Sequence, residues 1–390
     1  MRFPQACRLM AWVAIAPVLL GGCSIFRPAV EVHALTAREA IELKRSDILT
    51  RDKLSDATIQ TIRVAALDVK ACAKPISSEC VEALAAVTGI ATDRRLAALS
   101  ELWLAQAQAM EPGSVQQAAW LETIRYAYAY LFLGDHTPGE RAFEDRQTQV
   151  RDWYNYAVEH AAAGMFEIRQ QMPAQLPALT SGTIAGWELK LDLRSARMSG
   201  SAAVPAELVP ASSLSFRGLR SLYRRDGFGA ELVAVMPDDS LNATPTQDGH
   251  PVAKHSQPAL PWSEMPAPSM TVLLHPDGDS LDSVLHTHTA RLTVHDPYVE
   301  SAIMLRGQRV PLAANFTAGY GLWLARSKFN RQSLRSLLGR EGGIDRPHVY
   351  LMQPYDPNRR IIVMLHGLAS SPEAWVELAN EILGDEALRQ

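Results

Sequence analysis

An excess of charge of either sign is missing from this 390-residue chain. Thirty-eight basic residues against 42 acidic ones leave a net charge of −4 and a pI near 6.3. There is no basic excess to neutralise a run of phosphates, so the composition argues against nucleic acid as a partner class. Glycine-rich phosphate cradles are absent too: "GFG" at 227–229 is a lone glycine pair with no helix signal behind it. The "DGD" at 277–279 lacks the central glycine and terminal glutamate of a calcium loop. No cofactor is implied. Cysteine is scarce, with four in the whole chain. The N-terminal uncharged run "LMAWVAIAPVLL" is only 12 residues long, well short of the roughly 20 that span a bilayer. What remains is an ordinary globular composition, long enough for two or three domains.

That uncharged run follows Arg2 and Arg8 and ends in "LLGGCSIF". A positive start, an apolar middle and small residues before a cleavage point read as a secretory signal. Leu20, Gly21 and Gly22 ahead of Cys23 resemble the lipobox of bacterial lipoproteins. The resemblance implies that residues 1–22 are removed and that Cys23 becomes the lipid anchor. Several acyl chains hold a protein far better than one, because each buried CH₂ adds about 0.8 kcal/mol. Ser24 in the next position favours the outer membrane of a Gram-negative envelope. Cys7 leaves with the signal. Cys72 and Cys80 remain, in a compartment that permits disulfides; they are either bridged or free on neighbouring turns of a helical hairpin.

Residues 23–34 read as a tether. From 35 to 171 the apolar spacing is helical. "SDATIQTIRVAAL" predicts a helix behind a Ser55/Asp56 cap, "SSECVEALAAV" a short one, and "TDRRLAALSELWLAQAQAM" one behind a cap at Thr92 or Asp93. "EPGS" (111–114) breaks the pattern before a helix over 115–133, and "GDHTPGE" breaks it again before a long one over 144–171. The aromatics of this region belong to a packed helical core. No repeat period is evident. Residues 180–340 read as β-rich and antiparallel, with strands in "GWELKLDLRS", "AELVAVM", "SMTVLLHP", "ARLTVHDP" and "AIMLRGQRVPL". "FTAGYGLWLARS" suits a strand or a helix, and "RQSLRSLLG" a short helix. The fold class is therefore multidomain α+β.

The last segment, 345–390, carries the chemistry. His348–Gln353 predicts a strand, Tyr355–Asn358 a turn, and Arg360–Leu365 a central strand apolar on both faces. "HGLASSPEAW" then supplies a glycine turn and a helix start, with Ser370 or Ser371 as cap, Pro372 at the first position and Glu373 in the first turn. Such a turn is how α/β-hydrolases present one backbone N–H to an oxyanion. "YDPNRRIIVMLHGLASSPEAWVELANEILGD" resembles the opening of the α/β-hydrolase domain in a family of bacterial lipoproteins of esterase or lipase type. Pro354, Tyr355, Asp356, Pro357, His366, Gly367, Leu368, Ser370, Ser371, Pro372, Trp375 and Asn380 match it. "VPLAANFTA" (310–318) resembles the segment upstream. The resemblance implies an oxyanion turn at His366, Gly367 and Leu368, with Leu368 N–H as donor, and an ester or lipid substrate for intact relatives. The family's nucleophile sits in a G-x-S-x-G elbow, and the chain holds none. The acid and base that follow it in the family are not found either, so the chain is expected to stop short of its nucleophile and to be inactive alone. A non-enzymatic envelope-binding module is the alternative.

One further constellation is His275, Asp277, Asp279, Asp282, His286, His288 and His295. His286 and His288 on one strand would point the same way, but a polar loop and a solvated strand face account for the group, and no metal is assigned. The basic "RSLYRRDG" (220–227) reads as a solvated turn.

Overall fold

The computed structural model describes residues 30–36, 39, 53–72, 78–141, 144–170, 181–195, 205–237, 262–327, 349–367 and 370–389. The signal segment, Cys23, most of the tether, "RQSLRSLLG" and Leu368 lie outside the described residues.

The chain opens on β1 (Glu31–Ala34) and continues into helices. In α1 (Asp56–Val64) Ser55 is the cap, and its hydroxyl accepts the Thr58 N–H at 3.3 Å. The same cap is anchored from outside. The buried Glu101 carboxylate accepts from Ser55 N–H at 2.7 Å, from Ser55 Oγ at 2.6 Å, and from Thr58 Oγ1. Arg146 lies 3.4 Å from it and donates to Ser55 Oγ at 2.8 Å. A carboxylate can be buried here because both of its oxygens are hydrogen-bonded and a guanidinium lies beside it. The cluster joins α1 to α4 (Thr92–Ala109) and α6 (Asp145–Gln170). Between them, α2 (Val69–Cys72) and α3 (Ser78–Ala86) are bridged by Cys72–Cys80, with Cα atoms 5.2 Å apart. Of the two states open for these cysteines, the structure has the bridge.

The helix α5 (Ser114–Leu133) is buried nearly all round, because α4 and α6 cover one side and a sheet covers the other. That sheet has six strands in the order β2-β3-β10-β9-β7-β4. In chain order they are β2 (Ser181–Ile184), β3 (Trp187–Ser195), β4 (Glu207–Pro210), β7 (Ala230–Val235), β9 (Ser269–Pro276) and β10 (Thr289–His295). All the predicted strands of this sheet form. It is mixed rather than antiparallel, since β3 and β10 run parallel. The long excursion between them gives the chain room for the crossover that a parallel pair needs. Ala185 and Gly186 turn the β2–β3 hairpin with both residues at positive φ (52° and 81°), which matches the twist of the strands.

Helix and sheet share one core. Tyr154 Oη donates to Leu274 O at 2.9 Å and accepts Leu274 N–H at 3.2 Å. Asn155 clasps "GFG": its amide donates to Gly227 O at 2.8 Å and accepts Gly229 N–H at 2.7 Å. A Cβ on Gly227 would lie 2.4 Å from the Leu312 carbonyl carbon, so this glycine permits a close backbone approach.

Shorter pairs surround the sheet. β1 pairs with β5 (Leu214–Arg217), and β6 (Arg224–Arg225) pairs with β13 (Ala314–Asn315). β11 (Ala302–Leu305) and β12 (Gln308–Pro311) form a hairpin about Arg306-Gly307. A helix, α7 (Leu281–His286), is opened by a Ser280/Ser283 capping box. This corrects the placement of His286 and His288: His286 closes α7 and His288 precedes β10, so the two do not share a strand face. "AGYGLWLARS" resolves as a helix, α8 (Ala318–Ser327).

At the C-terminal end β14 (Val349–Leu351) pairs in parallel with β8 (Trp262–Glu264). The Tyr355–Asn358 turn forms, with Asn358 N–H on Asp356 Oδ1 at 3.0 Å. The expected central strand does not: residues 361–367 have neither helix nor strand structure, and Ile361, Ile362, Val363 and Leu365 are 55–80% exposed. An apolar segment becomes a central strand only between strands that pair with it, and the two-stranded β8–β14 pair does not reach it. A short 3₁₀ turn (Pro372–Trp375), α9 (Val376–Gly384) and α10 (Glu386–Arg389) follow. Among the described residues no helix is long and apolar enough to cross a membrane.

Candidate functional sites

Two places come forward. The first is the turn that the sequence singles out. His366 and Gly367 are exposed; His366 Nδ1 lies 3.3 Å from Gly367 O, and Ser370 N–H closes a turn on Gly367 O at 3.1 Å. A backbone donor in such a place works against bulk water, whereas an oxyanion donor gains its strength in a water-excluded site. Ser371 takes the cap position, with Pro372 first, but makes no side-chain cap hydrogen bond. Of the three oxyanion-turn residues, two are therefore solvated and Leu368 lies outside the described residues.

The helix after the turn is held firmly. Asn380 is fully buried; its amide donates to Ser221 O at 2.8 Å and its carbonyl accepts Thr317 Oγ1 at 2.8 Å. Thr317 Oγ1 in turn accepts Tyr223 N–H at 2.9 Å. Val376, Ala379 and Leu383 pack with Phe316, Tyr320 and Trp323. The two stretches that carry the family resemblance, 310–318 and 372–380, thus meet at one buried hydrogen bond.

The second place is a cleft of about 650 Å³ beside the sheet. Arg291, Thr293 and His295 alternate along β10 and so share its cleft face. His275 comes from β9, where it stands opposite Arg291. The β11–β12 hairpin supplies Ile303, Met304 and Leu305 as an apolar lip. At the centre, Thr293 Oγ1 lies 3.0 Å from the Nε2 atoms of both His275 and His295, and His295 Nδ1 lies 2.5 Å from Glu300 Oε2. Burial pushes the His275 imidazole down to about 4, helped by His295, Arg291 and Arg306 nearby. It is neutral at pH 7, and its buried Nδ1 has no partner. The carboxylate fixes the His295 proton on Nδ1, which leaves Nε2 to accept the Thr293 hydroxyl proton.

The mouth of the cleft carries mixed charge. Asp192 is gripped by Arg194 side-chain and backbone hydrogen bonds, which hold its carboxyl well below the usual carboxylate range. Lys190 reaches Asp277 at 3.4 Å. Arg306 lies over Tyr128, donates to its hydroxyl at 2.9 Å and also holds Gly278 O.

Of the His/Asp constellation, the fold joins His275 and His295 through Thr293 and leaves His286 on the surface, beside Asp282. Among the described residues no cluster of three or more His, Cys, Asp or Glu could hold a metal ion. Thr293 and Glu300 were not singled out from sequence. The period-two spacing Arg291-x-Thr293-x-His295 on a predicted strand was the available signal. Comparison with known protein families, curated proteins and solved structures finds no match to this chain.

Proposed function

We propose that this chain is a lipid-anchored protein of the Gram-negative envelope, of the serine-hydrolase (α/β-hydrolase) class, in which the helical and β-rich body seats the opening segment of the hydrolase fold. The carrying observation is the Thr317–Asn380 hydrogen bond, which packs the helix after the His366-Gly367 turn onto the body through residues of both resembling stretches. The class implies ester or lipid substrates. The 390 residues contain no G-x-S-x-G, so the class's serine chemistry is not carried by the chain on its own. A fluorophosphonate probe should therefore form no adduct on any of its serines; a serine adduct would overturn this part of the reading.

A second reading, a non-enzymatic envelope-binding module, is favoured by one observation: 361–367 lies solvated and forms no strand. The coding DNA separates the two. A reading frame after codon 390 that encodes G-x-S-x-G supports the hydrolase class, and its absence supports the binding module.

A further inference from the structure

The cleft contains an arrangement independent of the His366-Gly367 turn. Nucleophilic catalysis by a hydroxyl needs three things in line: the hydroxyl, an imidazole within about 2.6–3.2 Å to take its proton, and a third group that fixes the imidazole tautomer. Thr293 Oγ1 to His295 Nε2 is 3.0 Å, and His295 Nδ1 to Glu300 Oε2 is 2.5 Å. Thr293 and His295 both line the cleft, and Thr293 is only half-buried, so its hydroxyl is within reach of a bound molecule. We propose that Thr293, His295 and Glu300 form an acyl-transfer site for small carboxylic esters, with Thr293 as the nucleophile.

The rest of the cleft fits that substrate class. Ile303, Met304 and Leu305 offer an apolar lip to an acyl chain. Arg291 lines the same cleft from two positions up the strand and brings positive charge to its wall. His275 is a positioning residue: its Nε2 lies 3.0 Å from the same hydroxyl oxygen. In the reaction, Thr293 Oγ attacks the ester carbonyl carbon and its proton passes to His295 Nε2, while Glu300 stabilises the imidazolium. The tetrahedral intermediate collapses, the C–O bond to the alcohol breaks, and the departing oxygen takes the proton from Nε2. Water then attacks the acyl-threonine, giving its proton to Nε2. Collapse returns that proton to Thr293 Oγ and releases the acid.

A purely packing role for the same network would not distinguish a hydroxyl nucleophile from a mere space-filler, and this sets the test. The full chain is assayed with p-nitrophenyl butyrate alongside T293V, T293S and H295Q, with thermal melting as the check on folding. T293V and H295Q should lose at least about 100-fold in kcat/KM, and T293S should retain turnover because it keeps the hydroxyl. Mass spectrometry after fluorophosphonate treatment should place the adduct on Thr293. Wild-type turnover no faster than folded T293V, or a folded T293S as inactive as T293V, would overturn the proposal. If T293V and H295Q do not fold, the adduct decides: an adduct on Thr293 upholds the site, and no adduct or one elsewhere refutes it. Because the hydrolase-class reading concerns serine and this site concerns Thr293, the two can fail separately.

Discussion

Single side chains set the pH response. His275 and His160 are both half-buried and neutral, and loss of solvent pushes each down to about 4 from an ordinary 6.5. His160 stacks on Trp120 and lies tilted against Tyr156, with centroids 5.0 and 4.2 Å away. Between pH 6.5 and 4 the unfolded chain binds these protons and the folded one does not, so stability rises with pH across that window and is lost on acidification. Each group contributes at most about 3 kcal/mol. Urea midpoints should fall from pH 7 to pH 4.5, and His160→Gln should flatten the slope; an unchanged slope would place the proton uptake elsewhere. Asn380 is the other decisive residue. Asn380→Ala leaves the Thr317 hydroxyl and Ser221 carbonyl without their partner and should cost about 1–3 kcal/mol, measurable by the same denaturation. Neither role was legible in the sequence. Asn380 stood out by resemblance, and its partners lie 63 and 159 positions away, a distance that no local pattern reports.

Elements with a strong local signal came through. The helices over 56–64, 92–109, 114–133 and 145–170 and the strands over 187–195, 230–235, 269–276 and 289–295 formed where apolar spacing placed them, the first behind its expected Ser55 cap, whereas Ala91 and not Thr92 or Asp93 is the cap of the second. The failures share a cause. "SLDSVLH" is read as helix or loop according to a capping box of two serines, a weaker sign than alternation. "IIVML" has strand composition, but a strand is a relation between segments, and no paired neighbour reaches it. The cleft was only half legible for the same reason: His295 was visible as chemistry, while Thr293 became significant once β9 and β10 paired. Residues 361–367 present exposed apolar side chains on backbone with no ladder, the kind of segment that seeks other strands. Their amides should exchange with deuterium at nearly the rate of free peptide, while α9 amides are protected. Val363→Lys should reduce concentration-dependent aggregation seen by light scattering, and no change on that substitution would locate the sticky surface elsewhere.

At the scale of the whole molecule, the helical and β-rich regions behave as one body. Trp153, Tyr154 and Ile124 share a core with Trp187, Leu232 and Leu274, and Arg125 ties α5 to α7 through Leu285 O at 3.0 Å. The Cys72–Cys80 bridge pins α2 to α3 beside Ile62, Leu84 and Leu99, consistent with an oxidising compartment. Attachment to a membrane, on this account, rests on Cys23 alone. The most direct test is the mass of the N-terminal tryptic peptide of the full chain expressed in a Gram-negative host and extracted from its membranes. The account predicts a peptide that begins at Cys23, runs to Arg38 because Pro28 blocks cleavage after Arg27, and carries diacylglycerol with an amide-linked acyl chain. A peptide that starts upstream of Cys23, or an unmodified Cys23, would contradict it.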